Sequence, residues 1–442
     1  MIDIDLSADT PFTGQRLYEL VERLYPICRS ITGNGVRETL AILSETLPLK
    51  IREVPSGTRV LDWTVPEEWN IREAWLKDPH GNKVVDFKNS NLHVLNYSIP
   101  VHKKLSLEEL KAHLHTIPEK PRWIPYRTSY HDRKWGFCLA HEQFLNLEEG
   151  EYEVFIDSTL EPGHLTYGEL LIPGRSSGEI LVSTHVCHPS LCNDNLSGIV
   201  VAAEVARRLM ATDTRHTFRF LFIPGTIGAI TWLSRNEHQL DKIRHGLVLN
   251  LLGDESQFYY KKSRRGNAEI DRAVERILRA RGSDFHLLDF SPYGYDERQF
   301  CSPGFNLPVG RLSRTPHGQF PEYHTSADNL DLVRPQGLAE AVDLVFRVIH
   351  ELEGARFFRN RFPRGEPHLG KRGLFRKTGG AGMEDFHMAL LWVLNLSDGT
   401  LSLKSITEAS GLGMKVLRKA VNALLEVGLI EEWSPTGDSG TY

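Results

Sequence analysis

The spacing of hydrophobic positions divides the chain into stretches of helical and of strand character. Near the N-terminus, residues 15–27 and 36–47 place apolar side chains three and four positions apart, which predicts two amphipathic helices. Between residues 51 and 165, short apolar runs alternate with turn signals, and the run 75–85 is typical of a hairpin. We therefore predict a small β-rich domain inserted behind two N-terminal helices.

Strands and helices alternate from residue 166 to about residue 355. Apolar runs predict strands at 179–184, 218–223, 247–252 and 308–312. Periodic segments between and after these runs, including the long segment 335–353, predict helices. Because such alternation is typical of sheets covered by helices on both faces, we predict an α/β fold for this region.

The C-terminal region shows a third pattern. Residues 358–382 are rich in Arg, Gly and Pro, which is typical of a linker. Beyond it, residues 405–413 and 416–427 form a helix-turn-helix pattern that is followed by a short apolar strand. The predicted organisation is a discontinuous α/β domain (1–50 and 166–357), the inserted domain (51–165), the linker (358–382) and a winged-helix domain (383–442).

Composition and charge narrow the classes of function. The chain has 442 residues, of which 40% are hydrophobic, and a net charge of −5 without a long run of one sign. Its sequence contains no 18-residue apolar stretch, and its acidic N-terminus is unlike a secretory signal. The five cysteines are an odd and sparse set, which indicates a reducing compartment. We expect a cytoplasmic globular protein without a membrane partner.

The winged-helix pattern by itself would suggest DNA binding. Lys415, Arg418 and Lys419 cluster on the predicted recognition helix. However, residues 363–442 contain nine basic and nine acidic residues, whereas a DNA-binding domain normally has a basic surface. We expect this domain to serve packing or assembly, which makes the protein a candidate homo-oligomer and not a nucleic-acid binder.

The segment 183–198 contains the residues with the most distinctive chemistry. A predicted strand ends at His185, Pro189 forces an extended backbone on His188, and Asp194 lies where the next helix begins. Imidazole nitrogens and carboxylate oxygens are common zinc ligands. Because strand residues three apart face opposite sides, we expect His188 and Asp194 to bind the metal, with His185 as a further ligand or as support for one.

Two alternatives remain for this segment. Histidines near a strand end are often buried and hydrogen-bonded without any metal. A cluster of Cys187, His188 and Cys192 would instead offer thiolate ligands, although it lacks the paired spacing of structural zinc modules. The residues alone do not choose between these readings.

Two polar loops offer further candidates. His324 lies in the loop 321–330 and can complete a metal site, although a single loop histidine is commonly just a surface group. Asp296 and Glu297 are neighbours in the loop 293–299, and adjacent carboxylates are usually solvated. These loops become informative only in combination with the segment 183–198.

Two motifs resemble the zinc-dependent exopeptidases of the aminopeptidase clan. They are the Asn-Asp-Asn-Leu-Ser-Gly run at 193–198 and the Tyr-His-Thr-Ser-Ala-Asp run at 323–328. The resemblance implies the mixed sheet of that clan, in which the aspartate corresponding to Asp194 bridges two zinc ions. It also implies that His324 is a zinc ligand.

A closer resemblance covers roughly residues 10–442. The chain resembles an aminopeptidase-like family of unassigned function, with the zinc-exopeptidase fold, an inserted β domain and a C-terminal winged helix. Members of that family often occur beside polysaccharide or antibiotic biosynthesis genes. The motifs that carry the match are at residues 25–33, 186–189, 222–228, 294–299 and 323–326.

The chain departs from the clan at two positions. The clan has two adjacent glutamates, a general base and a zinc ligand, where this chain has Gly225 and Thr226, and Cys187 replaces the aspartate of the His-x-Asp motif. With so few ligands we expect one zinc ion instead of two. A substitute base is then needed, since a positioned base adds roughly 10²–10⁴-fold to the rate.

Three carboxylates are candidates for that base. We prefer Glu297, with Asp296 and Asp254 as alternatives, because the clan aims the loop around residue 297 at its site. Arginines at positions 29, 265 and 298 can bind a substrate carboxylate or stabilise an oxyanion, and Arg29 is the preferred one.

Three functions follow from these expectations. The first is a zinc-dependent, aminopeptidase-like amide hydrolase that acts on a small or peptide-like substrate and uses a single metal ion. The second is an amide-forming or acyl-transferring enzyme of a biosynthetic pathway. The third is a non-catalytic, zinc-containing binding protein. We expect the first, because the predicted ligands and carboxylates together provide what amide hydrolysis needs.

Overall fold

The structure is a computed structural model that describes residues 10–130, 132–316, 318–374 and 385–433. The expectations for residues 1–9, for the end of the predicted linker and for the chain's last nine residues lie outside the described residues. The α-helices in the described part are α1 (Thr10–Leu24), α2 (Asn34–Ser44), α3 (Leu107–Lys111), α4 (His141–Leu145), α5 (Gly198–Leu209), α6 (Ile227–Asn236), α7 (Glu269–Arg281), α8 (Glu297–Phe300), α9 (Pro335–Glu353), α10 (Asp385–Leu396), α11 (Leu403–Ser410) and α12 (Met414–Glu426).

The strands of the same residues form one large sheet and several smaller ones. They are β1 (Lys50–Pro55), β2 (Arg59–Val60), β3 (Trp63–Thr64), β4 (Glu68–Lys77), β5 (Lys83–Asp86), β6 (Val101–Ser106), β7 (Leu114–His115), β8 (Phe137–Cys138), β9 (Glu151–Glu161), β10 (His164–Ile172), β11 (Glu179–His185), β12 (Thr217–Ile223), β13 (Ile243–Leu249), β14 (Phe258–Lys261), β15 (Phe285–Leu288), β16 (Val309–Ser313), β17 (Phe357–Asn360), β18 (Asp398–Ser402) and β19 (Ile430–Trp433).

The large sheet has eight strands in the order β1-β10-β12-β11-β13-β16-β14-β15. The central strands β12, β11, β13 and β16 are parallel to one another. The pairs β1–β10, β10–β12 and β14–β16 are antiparallel. Helices α1, α2, α5, α7 and α9 pack in one hydrophobic core, and α6 and α8 pack in another. Both the mixed sheet and its coverage on two faces confirm the predicted fold class.

Strands β11 and β12 are buried along their whole length, as expected for the centre of a sheet covered on both faces. Their side chains alternate between the two cores: Ile180 and Val182 face one, and Leu181 faces the other. The buried Arg219 of β12 is paired with Glu179, at 2.6 Å, and with Glu169. The parallel centre of the sheet therefore directs the carboxyl ends of β11, β12 and β13 to one edge.

The inserted region contains its own antiparallel sheet, in the order β5-β4-β9-β6, over a separate core. Strand β1, which lies inside the predicted insertion, instead pairs with β10 in the large sheet. The insertion also contacts the α/β domain through residues 124–126, which run beside residues 324–326: Ser326 N–H donates to Ile124 O, and Tyr126 N–H donates to His324 O, both at 2.8 Å. We call residues 120–130 the strap.

The C-terminal region has a three-stranded antiparallel sheet, β18-β17-β19, against helices α10, α11 and α12. This arrangement confirms the predicted winged helix. Strand β17 overlaps the start of the segment predicted as a linker and belongs to this sheet, so the winged-helix fold begins before residue 383. Glu269 of α7 accepts hydrogen bonds from Ser402 and Ser405 and thereby joins the two domains. Across the described ranges, no helix is both long and apolar enough to cross a membrane.

Candidate metal centre

Two histidines and an aspartate converge at the carboxyl end of β11. His185 is the last residue of that strand, and the chain then turns through Ser190, which has a positive φ of 38°. His188 precedes this turn, and its Nδ1 lies 3.3 Å from His185 Nε2 because the chain leaves the strand directly after His185. Asp194 Oδ1 lies 3.0 Å from His185 Nε2, and Asp194 Oδ2 lies 3.3 Å from His188 Nδ1. In a straight strand, His185 and His188 would face opposite sides, and the bend after β11 lets both face Asp194.

His324 reaches the same carboxylate from the loop 321–330, which we call the late loop. Its Nε2 lies 3.0 Å from Asp194 Oδ2, and its backbone has a positive φ of 53°, which non-glycine residues seldom adopt. The strap fixes this backbone, because Tyr126 N–H donates to the carbonyl of His324. The four predicted metal ligands therefore meet around one carboxylate.

Electrostatics favour the metal-binding form of Asp194, His185 and His324, whereas His188 would have to release its proton to bind a metal. Burial opposes ionisation of Asp194, but the surrounding imidazoles outweigh it and hold the pKa of Asp194 well below its ordinary value. Burial lowers the pKa of His185 and of His324, which favours neutral imidazoles. For His188 the pull of Asp194 exceeds the effect of burial, so its pKa is raised. Ionised carboxylate and neutral imidazole are the forms that bind metals.

Asp328 orients the central aspartate, a role that the sequence analysis did not foresee. Its carboxylate accepts the backbone N–H groups of Asn193, at 2.6 Å, and of Asp194, at 2.9 Å. The amide side chain of Asn193 in turn donates to Asp254 at 2.8 Å and accepts from Gly253 N–H at 2.9 Å. Asp254, one of the candidate bases, is therefore occupied in holding the Asn-Asp-Asn run. A signal existed in the sequence, because Asp328 ends the late motif.

Aromatic rings enclose the imidazoles. The buried Tyr126 of the strap packs edge-on against His188 and His324, with ring centroids 5.2 and 5.1 Å apart. Tyr295 stacks on His185 at 5.0 Å, and Tyr323 stacks on His324 at 3.9 Å. These contacts fix the ring orientations, and sequence reasoning missed them because the strap lies about 200 residues before the late loop.

A small cavity of about 160 Å³ opens beside His185, His188 and His324. Asp296 and Thr226 line it, and Asp296 Oδ1 accepts the Thr226 N–H at 2.7 Å. Burial raises the pKa of Asp296 to about 7, although the Thr226 N–H acts in the opposite direction. A carboxyl group with such a pKa can both accept and release a proton near neutral pH.

Thr226 has an unusual backbone. Its φ of 61° and ψ of −74°, with a 2.8 Å hydrogen bond from Ile227 N–H to Gly225 O, define a γ-turn with a positive central φ. Such a conformation costs about 1–3 kcal/mol and is concentrated at functional sites. Arg298, a candidate for substrate binding, donates to the hydroxyl of Thr226 at 3.2 Å and so supports this turn.

Glu297 does not line the cavity. Its fully buried carboxylate lies 2.9 Å from Lys261 Nζ and 3.7 Å from Arg311, beneath the loop that begins at Gly294. The structure therefore places the preferred base in a buried ion pair and its neighbour Asp296 in the cavity. The reason is local: both residues lie at the start of the short helix α8, where successive side chains point in different directions.

Arg29 is also buried, but its guanidinium group binds backbone carbonyls and does not line the cavity. It donates to the carbonyls of His188 and Leu24, at 2.8 Å each, and so holds the metal-ligand loop against α1. Among the described residues, the close group of metal-binding side chains consists of His185, His188 and Asp194, without a cysteine. Burial raises the pKa of Cys187 to about 12, which disfavours the thiolate alternative.

The mixed sheet, the donor cluster at its carboxyl edge and the C-terminal domain define an aminopeptidase-like protein with a winged helix. The profile of a family described as a domain of unknown function, DUF4910, matches residues 18–355, and a winged helix-turn-helix profile matches residues 356–432. The chain belongs to this aminopeptidase-like family, as its motifs predicted.

Individual relatives agree with this assignment. A Clostridium acetobutylicum protein, provisionally named as a polysaccharide biosynthesis protein with an aminopeptidase-like domain, is 50% identical over 95% of this chain and 96% of its own. A crystal structure of a provisionally named peptidase from that organism matches with 49% identity and a TM-score of 0.81, over 96% of this chain and 98% of that one. A zinc aminopeptidase of Bacillus subtilis shares the fold, with a TM-score of 0.56 and 14% identity over 78% and 96% of the two chains.

Proposed function

We propose that this protein is a zinc-dependent amide hydrolase that uses a single metal ion. The observation that carries the proposal is the convergence of three imidazole nitrogens on the buried carboxylate of Asp194. The kinship of fold with zinc aminopeptidases favours the same metal and the same class of reaction, although fold alone does not determine function.

The donor atoms fit a zinc ion in both type and spacing. Tetrahedral zinc with bonds of about 2.1 Å keeps its ligand atoms roughly 3.4 Å apart. The separations between Asp194 and the nitrogens of His185 and His188 are 3.0 and 3.3 Å, and those two nitrogens are 3.3 Å apart. The close group of His185, His188 and Asp194 would hold the ion, and His324, whose Nε2 lies 3.0 Å from Asp194 Oδ2, would be the fourth ligand. The packed rings of Tyr126 and Tyr295 would limit the movement of the imidazoles.

A zinc ion held by these residues would polarise a carbonyl group and lower the pKa of water to about 7. The chain's own contribution is Asp296, whose carboxyl group faces the same cavity and has a pKa of about 7. We infer that Asp296 accepts a proton from the attacking water and returns it to the leaving amine. The Thr226 N–H holds Asp296 Oδ1 in place for both transfers.

The cavity limits what can be hydrolysed. Its volume of about 160 Å³ accommodates one small group beside the imidazoles, and Ile31 and Tyr130 form its far wall. Large side chains do not fit without movement of the strap. We therefore propose a small or peptide-like substrate with a compact group next to the amide bond.

Metal analysis combined with an amide panel tests the proposal. Protein purified without chelator should contain about one zinc per chain, and Asp194→Asn should lose most of it. Asp331→Asn is the matched control, because Asp331 is an exposed carboxylate in the same late loop. Wild-type protein should release chromophore from anilides of small amino acids. A wild-type protein without zinc, or one that contains zinc and hydrolyses no member of the panel, contradicts the proposal.

A further inference from the structure

A second cleft lies at the opposite end of the large sheet from the metal centre. It has a volume of about 720 Å³ and is bounded by the starts of β13 and β16 on one side and by winged-helix residues 357 and 399–401 on the other. We call it the distal cleft. The seven residues of β13 separate it by roughly 20 Å from the carboxyl edge, so one small molecule cannot occupy both places.

Two arginines without carboxylate partners line the distal cleft. Arg244 has no ion pair within the described residues, and its buried Nε has no hydrogen-bond partner there. Arg265 donates from Nε to the carbonyl of Asn306 at 2.9 Å, which fixes its direction and leaves its terminal nitrogens available. Arg244 is half-buried and interacts with the charge of Asp241 without forming an ion pair, and Arg265 is exposed. Guanidinium groups whose nitrogens are not taken up by carboxylates are common protein partners of phosphate.

A buried histidine adds a further donor or acceptor. His245 is only 5% exposed, lines the distal cleft and has no described hydrogen-bond partner at Nδ1. Its ring lies between His216 and Phe357, at centroid distances of 5.7 and 6.4 Å. Buried polar atoms are rarely left without a partner, so this one points to a ligand or an ordered water molecule.

The charged and polar groups at the start of α7 are already paired or capped. The first turn of α7 reaches the cleft, but Asp271 accepts the N–H of Ala268 there. Glu269 is paired with Arg276 at 2.7 Å and accepts hydrogen bonds from the winged helix. The attraction for an anion therefore comes from the two arginines and not from the helix terminus.

The remaining walls indicate what the anion is attached to. Glu237 and Asp241 stand on the rim without an ion pair among the described residues, and carboxylates in such positions accept hydrogen bonds from hydroxyl groups. Phe305 and Phe357 offer apolar rings on opposite sides of the cleft. An inorganic anion would bind the arginines but would contact neither the carboxylates nor the aromatic rings.

We propose that the distal cleft binds a phosphate ester of a hydroxylated scaffold, the chemistry shared by nucleotides and sugar phosphates. Arg244 and Arg265 bind the phosphate, the rim carboxylates accept the hydroxyl groups, and the aromatic rings pack against the planar or apolar face. The site is formed jointly by the α/β domain and the winged helix, which gives the C-terminal domain a role in ligand binding. This proposal does not depend on hydrolysis at the metal centre.

Isothermal titration of the full-length protein tests the proposal with three probes: uridine diphosphate, glucose 1-phosphate and inorganic phosphate. At least one of the two esters should bind at least tenfold more tightly than inorganic phosphate. Arg244→Gln should weaken that binding about tenfold or more, because a charge-assisted hydrogen bond is lost. Arg264→Gln is the matched control, since Arg264 is an exposed neighbour that does not line the cleft, and it should leave the affinity within a factor of two.

The comparison of the two esters separates the possible sources of the ligand. Preference for the diphosphate indicates a nucleotide, and preference for the hexose phosphate indicates a sugar phosphate. Arg244→Lys keeps the charge and should retain part of the affinity, which guards against misreading a folding defect. Absence of ester binding to the wild-type protein, equal binding of esters and inorganic phosphate, or equal binding to Arg244→Gln overturns the proposal.

Discussion

Asp296 and Glu297 are adjacent in sequence, but Asp296 lines the cavity and Glu297 lies in a buried ion pair, and exchanging each for its amide tests the different tasks that we propose for them. In Asp296→Asn the cavity keeps its shape while the group that exchanges protons is lost. General acid–base catalysis contributes roughly 10²- to 10⁴-fold, so kcat/KM should fall by that factor. In the wild-type enzyme, kcat/KM should rise with pH through about 7, the pKa to which burial raises Asp296, and this rise should disappear in the variant.

The free energy of unfolding of the metal-free protein, measured as a function of pH, tests the pKa of Asp296 independently. The pKa of Asp296 is about 7 in the folded protein and 3.8 for an ordinary aspartate, so the folded state binds the proton more tightly. Its contribution to stability is present below about pH 4 and is lost as the pH rises to about 7. From pH 5 to pH 8 the wild-type protein should lose about 2–3 kcal/mol relative to Asp296→Asn. Asp328, whose pKa is also raised to about 7, is present in both proteins and cancels.

Glu297→Gln should lower the stability of the protein and change its activity only slightly. The substitution leaves Lys261, which is 2% exposed, without its carboxylate partner at 2.9 Å. Breaking a buried ion pair in this way costs about 3–5 kcal/mol. Activity per folded, zinc-containing molecule should change far less than in Asp296→Asn, because Glu297 does not reach the cavity.

Three measurements on each variant decide the matter: zinc content, kcat/KM as a function of pH, and thermal unfolding of the metal-free protein at pH 5 and pH 8. Normalising activity to bound zinc removes the effect of unfolded protein. The reasoning is refuted if Glu297→Gln loses the pH-dependent activity while Asp296→Asn keeps it. It is also refuted if the stability difference between wild type and Asp296→Asn does not change between the two pH values.

Three further predictions concern the metal, the strap and the winged helix. A chelator should lower the melting temperature of the wild-type protein and leave that of Asp194→Asn unchanged, because only a zinc-binding folded state is stabilised by the metal; equal shifts would contradict this. Tyr126→Ala should weaken zinc binding about 10- to 100-fold by freeing the rings of His188 and His324, as loss of groups that orient ligands does, whereas Tyr126→Phe should remain close to wild type. Duplex DNA should show no salt-dependent binding to the full-length protein, since the basic cluster at Lys415 lies in a C-terminal region with balanced charges; a steep dependence on salt would refute this.

The sequence was sufficient for the general fold and for the set of side chains that converge on Asp194. Alternating strands and helices predicted the α/β sheet because each pattern is local, and the helix-turn-helix spacing predicted the winged helix for the same reason. The placement of strand β1 in the large sheet could not be read locally, since its partner β10 follows more than 100 residues later. Pairing over such distances depends on the whole fold and not on the composition of the strand.

The orientation of side chains in the site was less accessible to sequence reasoning. Straight-strand geometry separated His185 from His188, yet the strand ends at His185 and the chain then bends, so that their nitrogens lie 3.3 Å from each other. Tyr126 carries no motif of its own, and it contacts His324 only because the strap crosses the late loop. A pattern within one segment describes neither a turn that follows it nor a contact from another domain.

The missing glutamate pair acquires a physical explanation once Asp296 is considered together with Thr226. In the clan that the motifs resemble, two glutamates project from the turn that this chain occupies with Gly225 and Thr226. Here the carboxylate of Asp296 approaches that turn from another loop and accepts the N–H of Thr226 at 2.7 Å. The γ-turn at Thr226 presents its N–H to this carboxylate, and a side chain at position 225 would start in contact with Cys187 Sγ and His185 Cβ, at 3.5 and 3.6 Å. The proposed function therefore joins the loss of the pair to the position of Asp296: a carboxylate remains beside the predicted metal ligands, whereas the clan's second-zinc ligand is absent at positions 225 and 226.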